Sequence, residues 1–255
     1  MKVLTIGDVV GKPGRQAVTH FVPALRKEHG IDLVIANSEN TAAGHGLTLD
    51  TARDLFDAQV DVLTSGNHAW DQKDIIPHMD GELLILRPLN YPEGTPGRGY
   101  LITRGAMIVN LMGRTFMQSI DDPFRAMDRL LARVTDKPNV IIVDMHCEAT
   151  SEKGAMGWYL DGRVSAVVGT HTHVGTIDAQ VLPKGTAFVT DIGMSGPKLS
   201  VIGDEPSDVL ARFLTAMPTR LNVAKGPVRF SAILLDIDES NGKARSIQRI
   251  DRELE

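Results

Sequence analysis

The sequence predicts an α/β fold in which two mixed β-sheets pack together and are flanked by helices. Short β-branched runs alternate with longer amphipathic segments in the first third of the chain, which predicts parallel strands joined by right-handed crossovers. Two later segments resemble hairpins, which add antiparallel strands to the sheets. The 255 residues, 42% of them hydrophobic, suffice for one large core. We find no repeat, linker or low-complexity segment, so residues 1–255 are predicted to form a single domain.

The elements follow in order from apolar periodicity. The first strand covers 3–6, and a helix at 14–29 follows with Val18, Val22 and Leu25 on one side. Further strands are predicted at 32–36, 60–63, 83–86, 100–103, 106–111, 139–144, 164–169, 228–237 and 244–250. Further helices are predicted at 48–58, 122–134 and 205–216.

Turn residues locate the two hairpins. One surrounds Arg104-Gly105, and the other surrounds Asn241-Gly242, an Asn-Gly pair that favours a type I′ turn. The segment 150–157 lacks a regular periodicity, and we expect it to form a lid or rim.

Composition limits the class of protein. The formal net charge of −5 gives no electrostatic signature of binding to extended nucleic acid. No apolar stretch approaches the roughly 20 residues of a membrane span. The single cysteine, Cys147, excludes an internal disulfide and favours a cytoplasmic location.

Polar side chains collect where the predicted strands end. Open α/β sheets build their binding crevices at the carboxyl ends of parallel strands, so we expect these side chains to lie together. The acids, amides and imidazoles at these ends are Asp8, Glu39, Asn40, Asn67, His68, Asp144, His146, His171 and His173.

The chemistry of this set indicates a metal site. Imidazole and carboxylate ligands suit zinc, manganese and iron, and a pair of such ions needs a bridging carboxylate, for which Glu39 is the natural candidate. His171 and His173 are two residues apart and would share one side of an extended strand. Taken singly, each residue has a simpler explanation: a lone histidine is more often a strand-end residue, and Asp8 could cap a helix.

Two phosphate-binding motifs fail at the stretch GDVVGKPG, residues 7–14. The dinucleotide fingerprint requires glycine where Val9 stands, and a P-loop requires serine or threonine where Pro13 stands. Pro13 instead suits the first turn of a helix.

The residues at the strand ends resemble the calcineurin-like metallophosphoesterase pattern. The matching motifs are Gly7-Asp8, Glu39-Asn40, Gly66-Asn67-His68, His146 and Gly169-Thr170-His171-Thr172-His173. Asp8-Val9-Val10 lacks the usual histidine, and Glu39 stands at the bridging position in place of aspartate. These departures, together with the stretches "NTAAGHGLT", "EATSEK" and "TDIGMSG", resemble the bacterial YmdB-like subfamily. The resemblance covers nearly all of the chain and implies one metallophosphoesterase domain over residues 1–255.

The resemblance implies a phosphodiesterase acting on 2′,3′- or 3′,5′-cyclic nucleotides through a dinuclear site of iron or manganese, with zinc as an alternative. It implies Asp8, Glu39 and His173 around one ion, and Glu39, Asn67, His146 and His171 around the other, with Asn40 nearby. A metal-bridging hydroxide would attack phosphorus, and His68 would be the general acid. Alternatively, His68 only orients Asn67.

The sequence offers two candidate substrate contacts and allows alternatives to phosphodiesterase activity. His45, in the glycine-rich loop 42–48, and Lys153 are candidate phosphate contacts, although both could be ordinary solvated residues. A phosphomonoesterase or nucleotidase, and a non-catalytic nucleotide-binding regulatory protein, are the alternatives to a phosphodiesterase. The expected partner is a small phosphoester substrate, and no binding to a membrane is expected. A homo-oligomer is compatible with the sequence.

Overall fold

A computed structural model describes residues 1–255 and contains thirteen strands and five α-helices. The strands are β1 (Lys2–Ile6), β2 (Asp8–Val9), β3 (Leu33–Asn37), β4 (Val62–Thr64), β5 (Tyr100–Thr103), β6 (Ala106–Met112), β7 (Val140–His146), β8 (Ala166–Thr170), β9 (Gln180–Val181), β10 (Ala187–Val189), β11 (Met194–Pro197), β12 (Val228–Ile237) and β13 (Ala244–Leu254). The helices are α1 (Gly11–His29), α2 (Leu49–Asp57), α3 (Pro123–Arg133), α4 (Thr150–Leu160) and α5 (Pro206–Thr215), with a 3₁₀ helix at Lys73–His78.

The strands form two mixed sheets, as predicted. The first has the order β2-β11-β12-β1-β3-β4, with β13 paired to β12. Its β1 is parallel to β3 and antiparallel to β12. The second has the order β5-β6-β7-β8-β10-β9, in which the four central strands are parallel and both edge strands are antiparallel.

Alternation along the strands builds the layers. On β1, Val3 belongs to the apolar cluster between the sheets, whereas Leu4 faces α1 and α2 on the outer side. On β7, Ile142 lies between the sheets, whereas Ile141 packs in the cluster that contains α3 and α4. Full burial of such a side chain contributes about 1.5–3 kcal/mol. The result is a helix–sheet–sheet–helix sandwich.

The helices begin and end where local signals place them. Gly30 adopts φ +64° and donates its N–H to the carbonyl of Arg26, which ends α1. Thr48 and Thr51 form a reciprocal capping box at the start of α2. No helix has the length and apolar character that crossing a bilayer requires.

The prediction for residues 150–157 is wrong, because they belong to α4. The inner side of this helix carries Lys153 and Gly157, so it lacks the apolar stripe that signals an amphipathic helix. A Cβ at Gly157 would lie 2.5 Å from the Phe188 ring, which explains glycine at this contact. The predicted strand at 83–86 is also absent: Ile85 and Leu86 form isolated bridges. Four short strands, β2, β9, β10 and β11, were not predicted.

A type I′ turn forms in the hairpin of β5 and β6, whereas it was predicted for the hairpin of β12 and β13. Arg104 and Gly105 have φ of +49° and +77° and join the paired residues Thr103 and Ala106. At Asn241-Gly242 only the glycine has positive φ, so the predicted type I′ turn is wrong there. Asp238 instead organises a longer loop, because its carbonyl accepts the N–H of Gly242 at 2.7 Å.

Candidate metal centre

The predicted site residues come together at one edge of the two sheets. Asp8 lies on β2, Glu39 follows β3 and Asn67 follows β4, all in the first sheet. His146 ends β7, and His171 follows β8, in the second sheet. The centre therefore spans both sheets, at the carboxyl ends of parallel strands, as the strand-end pattern predicts.

His146 is the geometric centre of the cluster. Its Nε2 lies 2.9 Å from Oε1 of Glu39, 3.1 Å from Oδ1 of Asn67 and 3.0 Å from Nδ1 of His171. His146 and Glu39 are fully buried. One ligand atom each from Glu39, His146 and His171 lies within 4.8 Å of the other two, close enough for one ion to bind all three.

Thr170 fixes the tautomer of His146. The hydroxyl of Thr170 donates to Asp144 at 2.7 Å, so it accepts from Nδ1 of His146 at 2.9 Å. Nδ1 then carries a hydrogen, and Nε2 faces the cluster, where it offers a lone pair to a metal ion once its own proton is displaced. A neutral imidazole held in this way is the form that binds a metal ion.

Two buried oxygens lack any hydrogen-bond donor. They are Oδ1 of Asp8 and Oδ1 of Asn40. Asp8 Oδ2 accepts the His171 N–H at 3.1 Å, and Asn40 Nδ2 donates to the carbonyl of Gly44 at 2.9 Å. Burying an unpaired polar atom is costly, and a bound cation would satisfy both oxygens. The residues therefore fit a metal ion.

Close backbone approach at Gly66 keeps the cluster compact. A Cβ at this position would collide with Oε2 of Glu39 and with the ring of His146. The glycine of the predicted Gly66-Asn67-His68 motif is thus a steric requirement.

The buried acids and imidazoles of the centre influence one another's protonation. Burial raises the pKa of Glu39, but His146 more than offsets this and brings it to about 2. Burial lowers the pKa of His146, but the Glu39 carboxylate outweighs it and raises it to about 9. Burial raises the pKa of Asp8 to about 6. Protons on these groups compete with a metal ion, so metal binding strengthens as the pH rises.

The two histidines of the His-x-His motif do not lie on an extended strand. Strand β8 ends at Thr170, and His171 and His173 adopt φ of +98° and +64°. The predicted alternation is therefore wrong, although both rings reach the centre. Nε2 of His173 lies 3.8 Å from Oδ1 of Asp8, while its Nδ1 lies 2.6 Å from the carbonyl of Ile202.

Asp191 holds this strained loop in place. Its Oδ2 accepts the N–H and the hydroxyl of Thr172 at 3.2 and 2.8 Å, and its Oδ1 accepts the N–H of Gly193. Positive φ in a residue other than glycine costs about 1–3 kcal/mol and persists only where the surroundings impose it. Asp191 supplies that constraint between the two histidines.

Lys153 is the partner of Asp191 and does not line the pocket of the metal centre. Its Nζ lies 2.6 Å from Asp191 Oδ2, and both side chains are fully buried. The predicted phosphate contact is wrong, because α4 directs this side chain inward. Lys153 instead neutralises the carboxylate that holds the His171–His173 loop.

We expect Lys153→Met to destabilise the fold by about 3–5 kcal/mol, since it leaves Asp191 buried and unpaired. Urea unfolding measures the free energy of unfolding. The control is Lys27→Met, because Lys27 is exposed. A loss below about 1 kcal/mol, within the range of exposed ion pairs, would contradict this role of the ion pair.

His68 lies beside the centre and remains partly exposed. Its Nδ1 lies 2.7 Å from Oδ2 of Asp71, and its backbone N–H donates to Glu39 Oε2 at 3.2 Å. Its ring centroid is 4.9 Å from that of His45. Both imidazoles line a pocket of about 370 Å³, whose other lining residues include Glu39, Asn40 and the His171–His173 loop.

Several residues that support the centre were not predicted from the sequence. Asp71 could have been found, because it stands three residues after His68 and can reach it across one turn. Glu148, two residues after His146, lies 3.1 Å from Nε2 of His171. No local signal marks Asp191, which reaches the centre from a distant part of the chain.

Cys147 points away from the centre. Its thiol contacts Glu152 at 3.4 Å. Burial raises the pKa of this thiol to about 12, so it stays protonated at neutral pH and is a poor nucleophile.

Comparison with known sequences places this geometry among phosphoester hydrolases. A family model described as YmdB-like protein matches residues 4–250. A Bacillus subtilis protein named 2′,3′-cyclic-nucleotide 2′-phosphodiesterase is 46% identical over 254 residues, which cover 98% of this chain and 96% of that protein. A Mycoplasma genitalium protein named putative phosphatase/phosphodiesterase is 34% identical, with 98% and 92% coverage.

Solved structures share the architecture. A hypothetical protein from Thermus thermophilus superposes with a TM-score of 0.93 at 48% identity, covering 99% of each chain. A phosphatase from Mycoplasma pneumoniae superposes with a TM-score of 0.93 at 32% identity, covering 99% of this chain and 93% of that one. The predicted fold class is confirmed.

Proposed function

Because the chain belongs to the YmdB-like family, we propose that it is a phosphodiesterase that hydrolyses 2′,3′- or 3′,5′-cyclic nucleotides. The observation that carries this proposal is the buried cluster of Glu39, His146 and His171 with His68 beside it. The name of the Bacillus subtilis relative supports the choice of a cyclic diester.

The chain offers ligands for two metal ions. Asp8, Glu39 and His173 would hold one ion. The other would be held by Glu39, Asn67, His146 and His171, with Asn40 beside them. The unpaired oxygens of Asp8 and Asn40 support this division. Iron or manganese suits these nitrogen and oxygen donors best, and zinc is the alternative. When bound, such ions acidify a water molecule and neutralise charge on the phosphate.

His68 would protonate the leaving oxygen. Its Nδ1–H donates to the Asp71 carboxylate, which fixes the ring and leaves Nε2 available to the pocket. Opening a cyclic nucleotide expels a ribose alkoxide, a poor leaving group that departs readily only when it receives a proton. His45 lies next to His68 and would contact the phosphate or the leaving nucleoside.

Phosphomonoester hydrolysis is the second candidate, because the Mycoplasma pneumoniae structure is named a phosphatase and the Mycoplasma genitalium relative a putative phosphatase/phosphodiesterase. A non-catalytic nucleotide-binding protein is less well supported, since such a protein has no use for an oriented proton donor. The single domain, a cytoplasmic location and a homo-oligomer stay predictions from the sequence.

One assay tests the proposed activity. The purified protein is incubated with 2′,3′-cyclic AMP, 3′,5′-cyclic AMP, a nitrophenyl diester and nucleoside monophosphates. We expect turnover of the diesters, loss of turnover after chelation, and recovery with added manganese. Turnover of monoesters alone would identify a phosphatase, and binding without any turnover would favour the regulatory alternative.

A further inference from the structure

A second cavity adjoins the metal centre and is strongly basic. It has a volume of about 880 Å³, and no carboxylate lines it. Its cations are Lys12, Arg212, Arg220 and Lys225. His45 lines both this cavity and the pocket of the metal centre, so the two spaces meet at one side chain.

The wall between the two spaces is thin and well fixed. Gln72 donates to the carbonyl of His45 at 2.8 Å, and the His45 ring lies beside His68. A Cβ at Gly44 would lie 3.3 Å from Val223, a residue that lines the basic cavity. The loop before His45 therefore packs directly against the lining of this cavity. His45 itself is exposed and borders both spaces, so a ligand with its phosphate at the metal centre can extend over this side chain into the basic cavity.

The four cations come from three separate segments and converge on the cavity, while Asp204, the carboxylate that interacts with Arg212, lines the neighbouring pocket. Lys12 lies at the start of α1, Arg212 lies on α5, and Arg220 and Lys225 lie in the following segment. Arg212 donates to the carbonyl of Thr219 at 2.8 Å, which joins α5 to that segment. The nearby Asp208 is engaged by the side-chain amide of Asn222 and does not line the cavity.

This concentration of positive charge stands out in a chain whose formal net charge is −5. A cavity lined by one sign of charge attracts ligands of the opposite sign. A cyclic mononucleotide has a single phosphate, which the metal centre would take up, and nothing in it would then meet the four cations. The basic cavity thus indicates a second negative group on the substrate.

Building on the proposed function, we propose that the basic cavity binds a phosphate additional to the scissile one. In a 2′,3′-cyclic nucleotide the 2′- and 3′-oxygens both belong to the scissile phosphate ring. The second phosphate must therefore be carried on the 5′-oxygen. It is either a terminal 5′-phosphate or the diester that links a preceding nucleotide. The preferred substrate class is therefore a 5′-phosphorylated nucleotide, or a short oligonucleotide, ending in a 2′,3′-cyclic phosphate.

The first test compares three substrates. They are adenosine 2′,3′-cyclic phosphate, its 5′-phosphorylated form, and a diadenylate ending in the cyclic phosphate. We expect kcat/KM to rise about tenfold with the second phosphate, since each exposed ion pair adds a modest amount. The gain should shrink at high salt. A gain with the diadenylate alone would identify the diester, and a gain with the mononucleotide alone would identify a terminal phosphate.

A matched pair of variants locates the effect. Lys12 and Lys27 lie at opposite ends of α1, about 22 Å apart at 1.5 Å per residue. The ratio of interest is kcat/KM with the second phosphate divided by kcat/KM without it. Lys12→Gln should bring this ratio closer to one, and the double variant Arg220→Gln/Lys225→Gln should do so more strongly. Lys27→Gln should keep the wild-type ratio. An unchanged ratio in the double variant would overturn the proposal.

A binding measurement separates this inference from the proposed activity. Calorimetry measures the affinities for adenosine 3′,5′-bisphosphate and for adenosine 3′-monophosphate. Neither titration requires turnover. Tighter binding of the bisphosphate, lost in the double variant, supports the cavity even if no diester is hydrolysed. Equal affinities of the wild type for both compounds would contradict the inference, whatever the enzyme's activity.

Discussion

Glu39→Gln is expected to empty the metal centre and abolish most turnover. Glu39 is fully buried, lies 2.9 Å from His146 Nε2, and is the one carboxylate proposed to serve both ions. Removing one partner of a buried charge pair costs about 3–5 kcal/mol, which corresponds to roughly 10²–10⁴ in affinity for the positive partner. His171→Ala should have a smaller effect, because it removes a ligand of one ion.

Elemental analysis measures the metal content of each protein, and a separate assay measures kcat on a cyclic nucleotide. The gently prepared wild type should contain two transition-metal ions per chain, and Glu39→Gln should contain fewer than one. Glu28→Gln, which removes an exposed carboxylate of α1, is the control and should keep both ions. A wild type that contains magnesium alone, or a Glu39→Gln variant with full metal and full rate, would refute the ligand assignment.

Much of the centre could be predicted because strand ends are local features of the sequence. Glu39, Asn67 and His146 each stand at or within three residues of the end of a strand, and parallel pairing brings those ends together. The apolar runs therefore predict both the strands and the meeting of the polar residues. The resemblance to a known family then assigned the roles.

The remaining contacts could not be predicted, because they depend on packing between distant segments. Lys153 pairs with Asp191 across 38 positions in the chain, and nothing near Lys153 distinguishes it from a solvated lysine. The same holds for the loop of His171 and His173, whose left-handed backbone is imposed by Asp191. An alternation rule assumes an extended strand, and here the strand had already ended at Thr170.

The basic cavity shows the same limit on a larger scale. Lys12 and Lys225 are separated by most of the chain and line the same cavity, because the start of α1 packs against the segment after α5. A net charge of −5 describes the whole molecule and does not describe this one surface. The sequence gives no general signature of nucleic-acid binding, and it does not reveal the local site that we propose for a second phosphate.

His68→Ala is expected to reduce turnover of a cyclic nucleotide by about 10²–10⁴-fold, the usual contribution of a general acid. Both metal ions should remain, because the contact of residue 68 with Glu39 is made by the backbone N–H, which alanine retains. Substrate binding should also persist. Asp71→Asn should act in the same direction but more weakly, since it loosens the ring without removing Nε2.

The decisive comparison uses two leaving groups. Wild type and His68→Ala are measured on a nitrophenyl diester and on 2′,3′-cyclic AMP, with metal content determined for each preparation. A nitrophenolate departs without a proton, so its release should suffer far less than release of a ribose alkoxide. Equal losses on both substrates, with metals intact, would instead show that His68 positions the phosphate. Loss of metal would show that its side chain supports a ligand, because the backbone contact to Glu39 is unchanged in the variant. A loss confined to the alkoxide leaving group is what proton donation from Nε2 requires.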